Sequence, residues 1–271
     1  MSLEVVSSLN HLVNITVSIV SHGHGAEALA LLDELSALTG QGVRRLLLTL
    51  NQLEPELASA VRQRSYSYEL ILIENTSPLG FGANHNRAFA RDADLGASEA
   101  FAVFNPDLHL RGNPLKGMAR ALVDMPLAGA VYPRQVDTAG APSDSERLVP
   151  TPRRLLARYL GGRRHEVVDG DRPEWVNAAC MLLRREAYEQ IGGFDESYHM
   201  YCEDVDLCLR LQLAGWSLVR ADDAIVEHAA QRASHRNPRH LAWHVASLCK
   251  LWGSAAYREW TKSAEKQSYR I

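Results

Sequence analysis

Along the first half of the chain the apolar positions switch between two periods. "NITVSIVSH", from Asn14 to His22, is rich in β-branched residues and runs into "HGHG", which predicts a strand opening into a loop. "AEALALLDELSAL" spaces its apolar residues as a helix does and stops near Gly40 and Gly42. "VRRLLLTLN" predicts a second strand ending at Asn51, "EPELASAVRQR" a short helix with Pro55 near its start, and "YELILIEN" a third strand. "ANHNRAFARDA" predicts a helix, and "EAFAVFNPDLHL" a fourth strand with a break at "NPD". "NPLKGMARALVDM" then reads as a helix and "AGAVYPRQV" as a strand.

Strands alternating with helices imply right-handed crossovers and a mostly parallel sheet, so the class is α/β. Ligands of such sheets sit beyond the carboxyl ends of the strands. Ser21-His22, Thr49-Asn51, Glu74-Asn75 and Asn105-Pro106-Asp107 each follow an apolar run directly. That pattern predicts a site along one sheet edge.

From Arg134 to Glu174 the pattern gives way to Gly, Pro and charge, with Arg147, Arg153, Arg154, Arg158, Arg163 and Arg164. Loops of this length in a domain are usually functional or disordered. Apolar order returns at "WVNAACMLLRREAYEQIGGF". The tail "HLAWHVASLCKLWGSAAYREWTKSAEK" is helical in spacing, with Trp243, Trp252 and Trp260 among basic residues. It could dock on anionic lipid or pack its tryptophans beneath itself. The basic residues do not fall on one face, which favours packing. There is no internal repeat and no sharp linker.

Composition adds exclusions. The 271 residues are 46% hydrophobic and 23% charged, an ordinary globular balance. A formal charge of −3 leaves no basic footprint, so no nucleic-acid partner is expected. No run of about 18 apolar residues predicts a membrane span. "MSLEVVSSLNHLVNITVSIV" has no basic region before an apolar core, so it does not read as a signal peptide. Cys180, Cys202, Cys208 and Cys249 lack CxxC spacing and read as reduced thiols. The expected location is cytoplasmic, with peripheral contact on the inner face of the membrane as its alternative.

Four stretches carry candidate chemistry. In "NPD", Pro106 cannot donate to a ladder, so the strand ends or bulges there and Asp107 is free to point into the crevice. Such a carboxylate binds a divalent cation or closes an Asx turn. "LGFGANHN" puts Gly80 and Gly82 at a strand-to-helix junction, where a helix start favours anions. It is neither a phosphate loop nor a dinucleotide fingerprint. "FDESYHMYCEDVDLCLRLQLAGW" places carboxylates at three of the four positions 203–206, directly before an apolar run. A helix starting near Glu203 or Asp204 would put Val205, Cys208, Leu209 and Gln212 on one face, with Gly215 as its stop. The helix dipole accounts for one or two of these carboxylates. A carboxylate held there and facing a cleft is also a sound general base. "AIVEHAAQ" ends an apolar run at His228, an ordinary polar residue or a ligand.

Together and in this order, "GFGANHN", "NPD", "WVNAACMLLRREAYEQIGGFDESY", "YCEDVDLCLRLQLAGW" and "VEH" resemble the bacterial rhamnosyltransferase-like branch of glycosyltransferase family 2, over about Ile15 to His228. The resemblance implies a GT-A (Rossmann-like) fold, a mostly parallel central sheet with flanking helices, over residues 1–230. It implies a nucleotide-sugar half at about 14–133, an acceptor and catalytic half at about 134–230, and a C-terminal helical extension at 231–271. It implies a nucleotide-sugar donor (a dTDP- or UDP-sugar), a divalent cation (Mg2+ or Mn2+), a glycan or lipid-linked glycan acceptor, and inverting transfer to a hydroxyl. By resemblance, Asp107 is the metal-motif aspartate, His228 completes the metal site and Asp204 is the base, with Glu203 beside it. Asn105 stands where many relatives have a carboxylate and would contact ribose or phosphate. Ser21, His22, Asn51, Gly80, Phe81, Gly82, Asn86 and Trp175 complete the donor side, and Asp206 and Asn177 the acceptor side.

The chain departs from the pattern at "LTLNQLEPE", where only Asn51 matches, and at Asn177 and Ala178, where relatives carry a small residue and glycine. Two other readings compete. A nucleotidyltransferase would want a basic residue in the first glycine loop, and "VSIVSHGHGAE" has none. A non-catalytic nucleotide- or glycan-binding protein on the same fold would not hydrolyse a donor with metal.

Overall fold

In the computed structural model, which describes residues 12–40, 42–160, 173–228 and 238–268, strand β1 (Ile15–Ser21) is buried on both faces. Ile15, Val17 and Ile19 face one apolar core, while on the other face Thr16 donates to Asp92 and the Ser18 hydroxyl lies 2.8 Å from His85 Nδ1. β2 (Arg45–Leu50), β3 (Glu69–Glu74) and β4 (Ala100–Phe104) join β1 in parallel. Between them lie helices α1 (Gly25–Ser36), α2 (Pro55–Arg62) and α3 (Phe81–Asp94). Near-continuous apolar strands are what a sheet covered on both faces requires.

The sheet has eight strands in the order β3-β2-β1-β4-β9-β6-β10-β5. The others are β5 (Leu108–Arg111), β6 (Ala128–Val136), β9 (Cys180–Arg184) and β10 (Ser217–His228). β9 and β5 run against their neighbours, so the sheet is mostly parallel with two reversed strands. α1, α2 and α4 (Pro114–Asp124) cover one face, with Leu31, Leu57 and Met118 buried beneath them. On the other face lie α3, α6 (Arg185–Gln190), α7 (Glu203–Leu213), α8 (Pro238–Gly253) and α9 (Ala255–Ser268). Leu251 of α8 and Ala256 of α9 are buried in that second core, so the C-terminal helices share it.

Two expectations need correction. The fourth strand is two strands. Pro106 ends the first as its missing donor demands, and the chain after "NPD" crosses to the far edge, where β5 pairs antiparallel with β10. The arginine-rich stretch is also partly regular. β7 (Glu146–Arg147) pairs with β8 (Trp175–Val176), and α5 (Pro152–Leu160) follows. Arg163 and Arg164 lie outside the described residues.

Candidate functional site

Ser21, His22, Asn51 and Asn75 at the ends of β1, β2 and β3 are tied into local hydrogen bonds. Asn51, after β2, accepts from Leu79 N at 2.8 Å and from Asn75 Nδ2 at 2.9 Å. Its own amide donates to Leu79 O at 3.0 Å and lies 3.3 Å from His22 Nδ1. Ser21 at the end of β1 donates to Glu54 at 2.8 Å, and Glu54 also takes the Gly23 N–H at 3.1 Å. Glu54 thus pins the "HGHG" loop; its acidic character in "LNQLEPE" gave no hint of that partner. His22 stays exposed, the freest of this group to meet a ligand.

Gly80, Phe81, Gly82 and Asn86 each meet other parts of the protein closely. A Cβ on Gly82 would stand 2.5 Å from Phe194 Cβ, and one on Gly80 would stand 2.9 Å from the His199 carbonyl. The Phe81 ring meets His85 and Phe194 edge-on, at 4.5 and 5.6 Å between centroids. Asn86 accepts from Tyr188 Oη at 2.6 Å and Phe194 N at 2.9 Å, and donates to Phe194 O at 2.9 Å and Glu196 at 3.0 Å. Its hydrogen-bonding capacity is spent on protein. The glycines allow close approach, but of the "GGFDES" turn, so this stretch clamps α3 to the segment that leads into α7.

The strand crossing at "NPD" has a chemical consequence. The β5–β10 register pairs Leu108 with His228, which brings His228 beside Asp107 across 121 positions of chain. His228 Nε2 lies 3.4 Å from Asp107 Oδ1 and 3.5 Å from Asn105 Nδ2. Burial raises the Asp107 pKa, but the hydrogen bond and charge of His228 outweigh it and the net shift is downward. A carboxylate and an imidazole are both good donors to a divalent cation, with coordination positions left for phosphate oxygens. Among the described residues no third His, Cys, Asp or Glu joins them.

The start of α7 carries the second half of the site. Tyr201 and Cys202, directly before it, hold φ of 73° and 64°, in the left-handed region unusual for side chains larger than glycine. Such conformations cost on the order of 1–3 kcal/mol each and cluster at functional sites. They aim three carboxylates three ways. Asp206 is 2% exposed and takes the Arg210 Nε–H at 2.6 Å, while Arg210 donates to the carbonyls of Ile191 and Gly193. Asp206 therefore fixes the "GGF" turn through Arg210. Glu203 is buried, and its Oε2 has no hydrogen-bond partner. Asp204 keeps partial exposure and receives the Val205 N–H at 2.9 Å and the Ala178 N–H.

Burial raises the pKa of both Glu203 and Asp204, and their mutual repulsion adds to the rise at Glu203. At Asp204 the two backbone donors and the Arg147 charge oppose it without cancelling it. Arg147 lies over the Trp175 ring, 5.3 Å from its centroid, and Trp175 donates to Leu148 O at 3.0 Å. Arg147 thus joins the candidate site, where the loop's composition shows it only as one arginine among many. Asn177 exchanges hydrogen bonds with Gln135 at 2.7 and 3.2 Å, so it shapes the turn.

That turn joins the halves. Ala178 N–H serves Asp204, and Ala179 O accepts from Asn105 N at 2.7 Å. A basic carboxylate and a cation-competent pair thus flank one short turn beyond the carboxyl ends of β4 and β10. The pairing suits a displacement in which a proton leaves on one side and a negatively charged group on the other.

The chain matches the family model described as glycosyltransferase like family 2 over residues 152–248. It is 34% identical over 197 residues to N-acetylglucosaminyl-diphospho-decaprenol L-rhamnosyltransferase of Mycobacterium tuberculosis, a match covering 65% of this chain and 64% of that protein. The match thus spans just under two thirds of that relative. It is 27% identical over 245 residues to rhamnosyltransferase WbbL of Escherichia coli K12, covering 85% of this chain and 89% of that one. A crystal structure of GalNAc-T7 with UDP, GalNAc and Mn2+ superposes with a TM-score of 0.62 at 12% identity, over 80% of this chain and 43% of that chain. The fold is GT-A.

Proposed function

We infer the reaction from kinship and site together: the chain belongs to glycosyltransferase-like family 2, and its site supports inverting transfer of a sugar from a nucleoside-diphosphate donor to an acceptor hydroxyl. The sugar class is a deoxyhexose or hexose, rhamnose first, on the names of the relatives. The acceptor is a glycan, lipid-linked as in the mycobacterial relative. One observation carries this reading: Asp204, raised in basicity by burial, stands one turn away from the Asp107–His228 pair.

In this reading Asp204 takes the proton of the acceptor hydroxyl as its oxygen attacks the anomeric carbon. The bond from that carbon to the diphosphate breaks, and its electron pair leaves with the nucleotide. The attacking and leaving groups lie on opposite faces, so configuration inverts, as in an inverting glycosidase with a sugar hydroxyl in place of water. A divalent cation, Mg2+ or Mn2+, held by Asp107 and His228 would neutralise charge on the leaving diphosphate. Asn51, His22 and Asn105 line the nucleotide side, and the Trp175 ring with the Asn177–Ala179 turn forms the floor. No helix among the described residues is long and apolar enough to cross a membrane, so contact with a lipid-linked acceptor would be peripheral.

A thermal-shift panel of UDP, dTDP, GDP and CDP and their sugars, each with and without Mg2+ or Mn2+, tests the donor site. A ligand that binds only the folded state raises Tm with the logarithm of its concentration over Kd. A metal-dependent shift with one nucleotide, lost in His228→Ala, is expected. No shift with any nucleotide would defeat the reading.

A further inference from the structure

Helix α5 carries its apolar side outward. Thr151 starts it, with its hydroxyl accepting the Arg154 N–H at 3.1 Å. Helical spacing puts Leu155 and Leu156 on one arc, with Arg153 at one flank, Arg158 at the other and Arg154 behind. A surface helix normally turns its apolar arc to the core. In α5 the polar side is the one held. Arg154 donates to Val149 O at 3.0 Å and to both oxygens of Glu174. Leu156 is left 60% exposed and Leu155 half-buried. Arg153 and Arg158 are exposed and have no ion pair among the described residues.

This helix borders the candidate site. β7, which carries Arg147, precedes it in the chain, and Glu174, which holds Arg154, is followed by Trp175. Glu174 also takes the Val149 N–H at 2.6 Å, so the helix start is fixed from the site side. From the other side Trp252 of α8 donates to Pro150 O at 2.8 Å. The tail is thereby committed to protein, Trp252 by this bond and Trp260 by packing on the second core. The outward apolar arc belongs to α5 instead.

We propose that α5 is a docking helix whose occupant is the surface of a bilayer containing anionic lipid. Leu155 and Leu156 would reach the acyl boundary, while Arg153 and Arg158 lay their stems beside them and keep their charge among the headgroups. Charge commits the strip to this occupant. A second copy docked on the same strip would set these arginines against their own counterparts, and like charges in contact oppose association. The docking goes beyond the proposed reaction and rests on it only for its purpose, which is to hold the site where a lipid-linked acceptor lies.

The test is flotation of the full chain with vesicles of phosphatidylcholine alone, or of phosphatidylcholine and phosphatidylglycerol in equal parts, without nucleotide or acceptor. Wild type should float with the mixed vesicles and not with the neutral ones, and salt should release it. Arg153→Gln/Arg158→Gln should weaken binding roughly thirtyfold and Leu156→Ser roughly tenfold. Val123→Ser, an exposed apolar change on α4, should bind as wild type does. No binding by wild type, equal binding to both vesicles, or binding that neither α5 variant weakens overturns the proposal. A dimer in sedimentation that Leu156→Ser dissolves would assign the strip to a second copy and overturns it as well. The nucleotide shift should persist in every variant. Its absence from wild type defeats the donor reading and leaves vesicle binding untouched, so the two failures are told apart.

Discussion

Both ends of the central sheet bury carboxylates, and they treat them in opposite ways. At the amino ends of the strands Asp92 is fully buried and fully partnered. Thr16 donates to it at 2.6 Å, Arg45 at 2.6 Å and Ser98 N at 3.0 Å, and Arg185 completes the set. Burial raises its pKa, but these donors outweigh burial and the net shift is downward. At the carboxyl ends Glu203 is as sheltered yet leaves one oxygen unsatisfied, and both Glu203 and Asp204 are shifted upward. Burial is common to the two ends. What separates the two is whether the protein has already spent the lone pairs of the carboxylate.

The sharpest way to break that contrast is to remove one charge at each end. Asp204→Asn should lower transfer by about 10²–10⁴-fold, the usual share of a general base, while Tm does not fall. Transfer retained near the wild-type rate would remove Asp204 from the role. Asp92→Asn should do the reverse. It leaves Arg45 and Arg185 without their shared buried partner, which costs about 3–5 kcal/mol in denaturant unfolding. Nucleotide binding by the fraction that stays folded should be normal. A loss below about 1 kcal/mol would mean that Glu69 and solvent compensate, and the amino end would no longer count as satisfied.

The two ends also differ in how much of them the sequence discloses. The strands were legible because β1, β2 and β4 are short runs dominated by apolar and β-branched residues, and the start and stop of α7 were legible from "CED" and Gly215. Asp204 and Asp107 stand out in the sequence as candidates because acidic residues occur there where apolar runs change. The Asp92 network gave no local sign, since its partners come from residues 16, 45, 98 and 185 and meet only through sheet order. The β5 crossover was hidden for the same reason: "NPDLHL" predicts a break, but not that the next strand pairs with one more than a hundred residues later. The partners of Asp206 and Asn86 are not legible locally, since Arg210 and Tyr188 reach them through the fold of the chain.

A third, smaller effect follows from the direction of the shifts. A carboxyl whose pKa is raised on folding binds more protons in the folded chain than in the unfolded one. Stability therefore falls as pH climbs from the ordinary carboxylate range to the raised value, by up to about 1.4 kcal/mol per pH unit for each such group. Asp92, shifted downward, contributes the opposite slope at lower pH, where stability is lost as pH falls through its folded value. Glu203→Gln should flatten the upper slope and leave the acid limb unchanged in urea unfolding across a pH series. Identical slopes in wild type and variant would mean that Glu203 finds a partner in solution and belongs with Asp92.

The smallest effect tests how far one exposed cation can do at the carboxyl end what the buried Arg45 and the largely sheltered Arg185 do at the other. Arg147 opposes the rise at Asp204, but its side chain is 42% exposed and shared with Asp144 at 3.1 Å and with the Trp175 ring. A partly solvated charge of this kind contributes under about 1 kcal/mol, which corresponds to less than one pH unit. Arg147→Gln should therefore shift the acid limb of the transfer rate upward by a fraction of a unit, since a base that holds its proton more tightly is freed only at higher pH. Salt should produce a shift in the same sense in wild type by screening the pair, and none in the variant. A shift larger than one unit would place Arg147 in direct contact with Asp204 during turnover. An unmoved limb would leave the Val205 and Ala178 amides as the groups that keep this carboxylate ionisable at all.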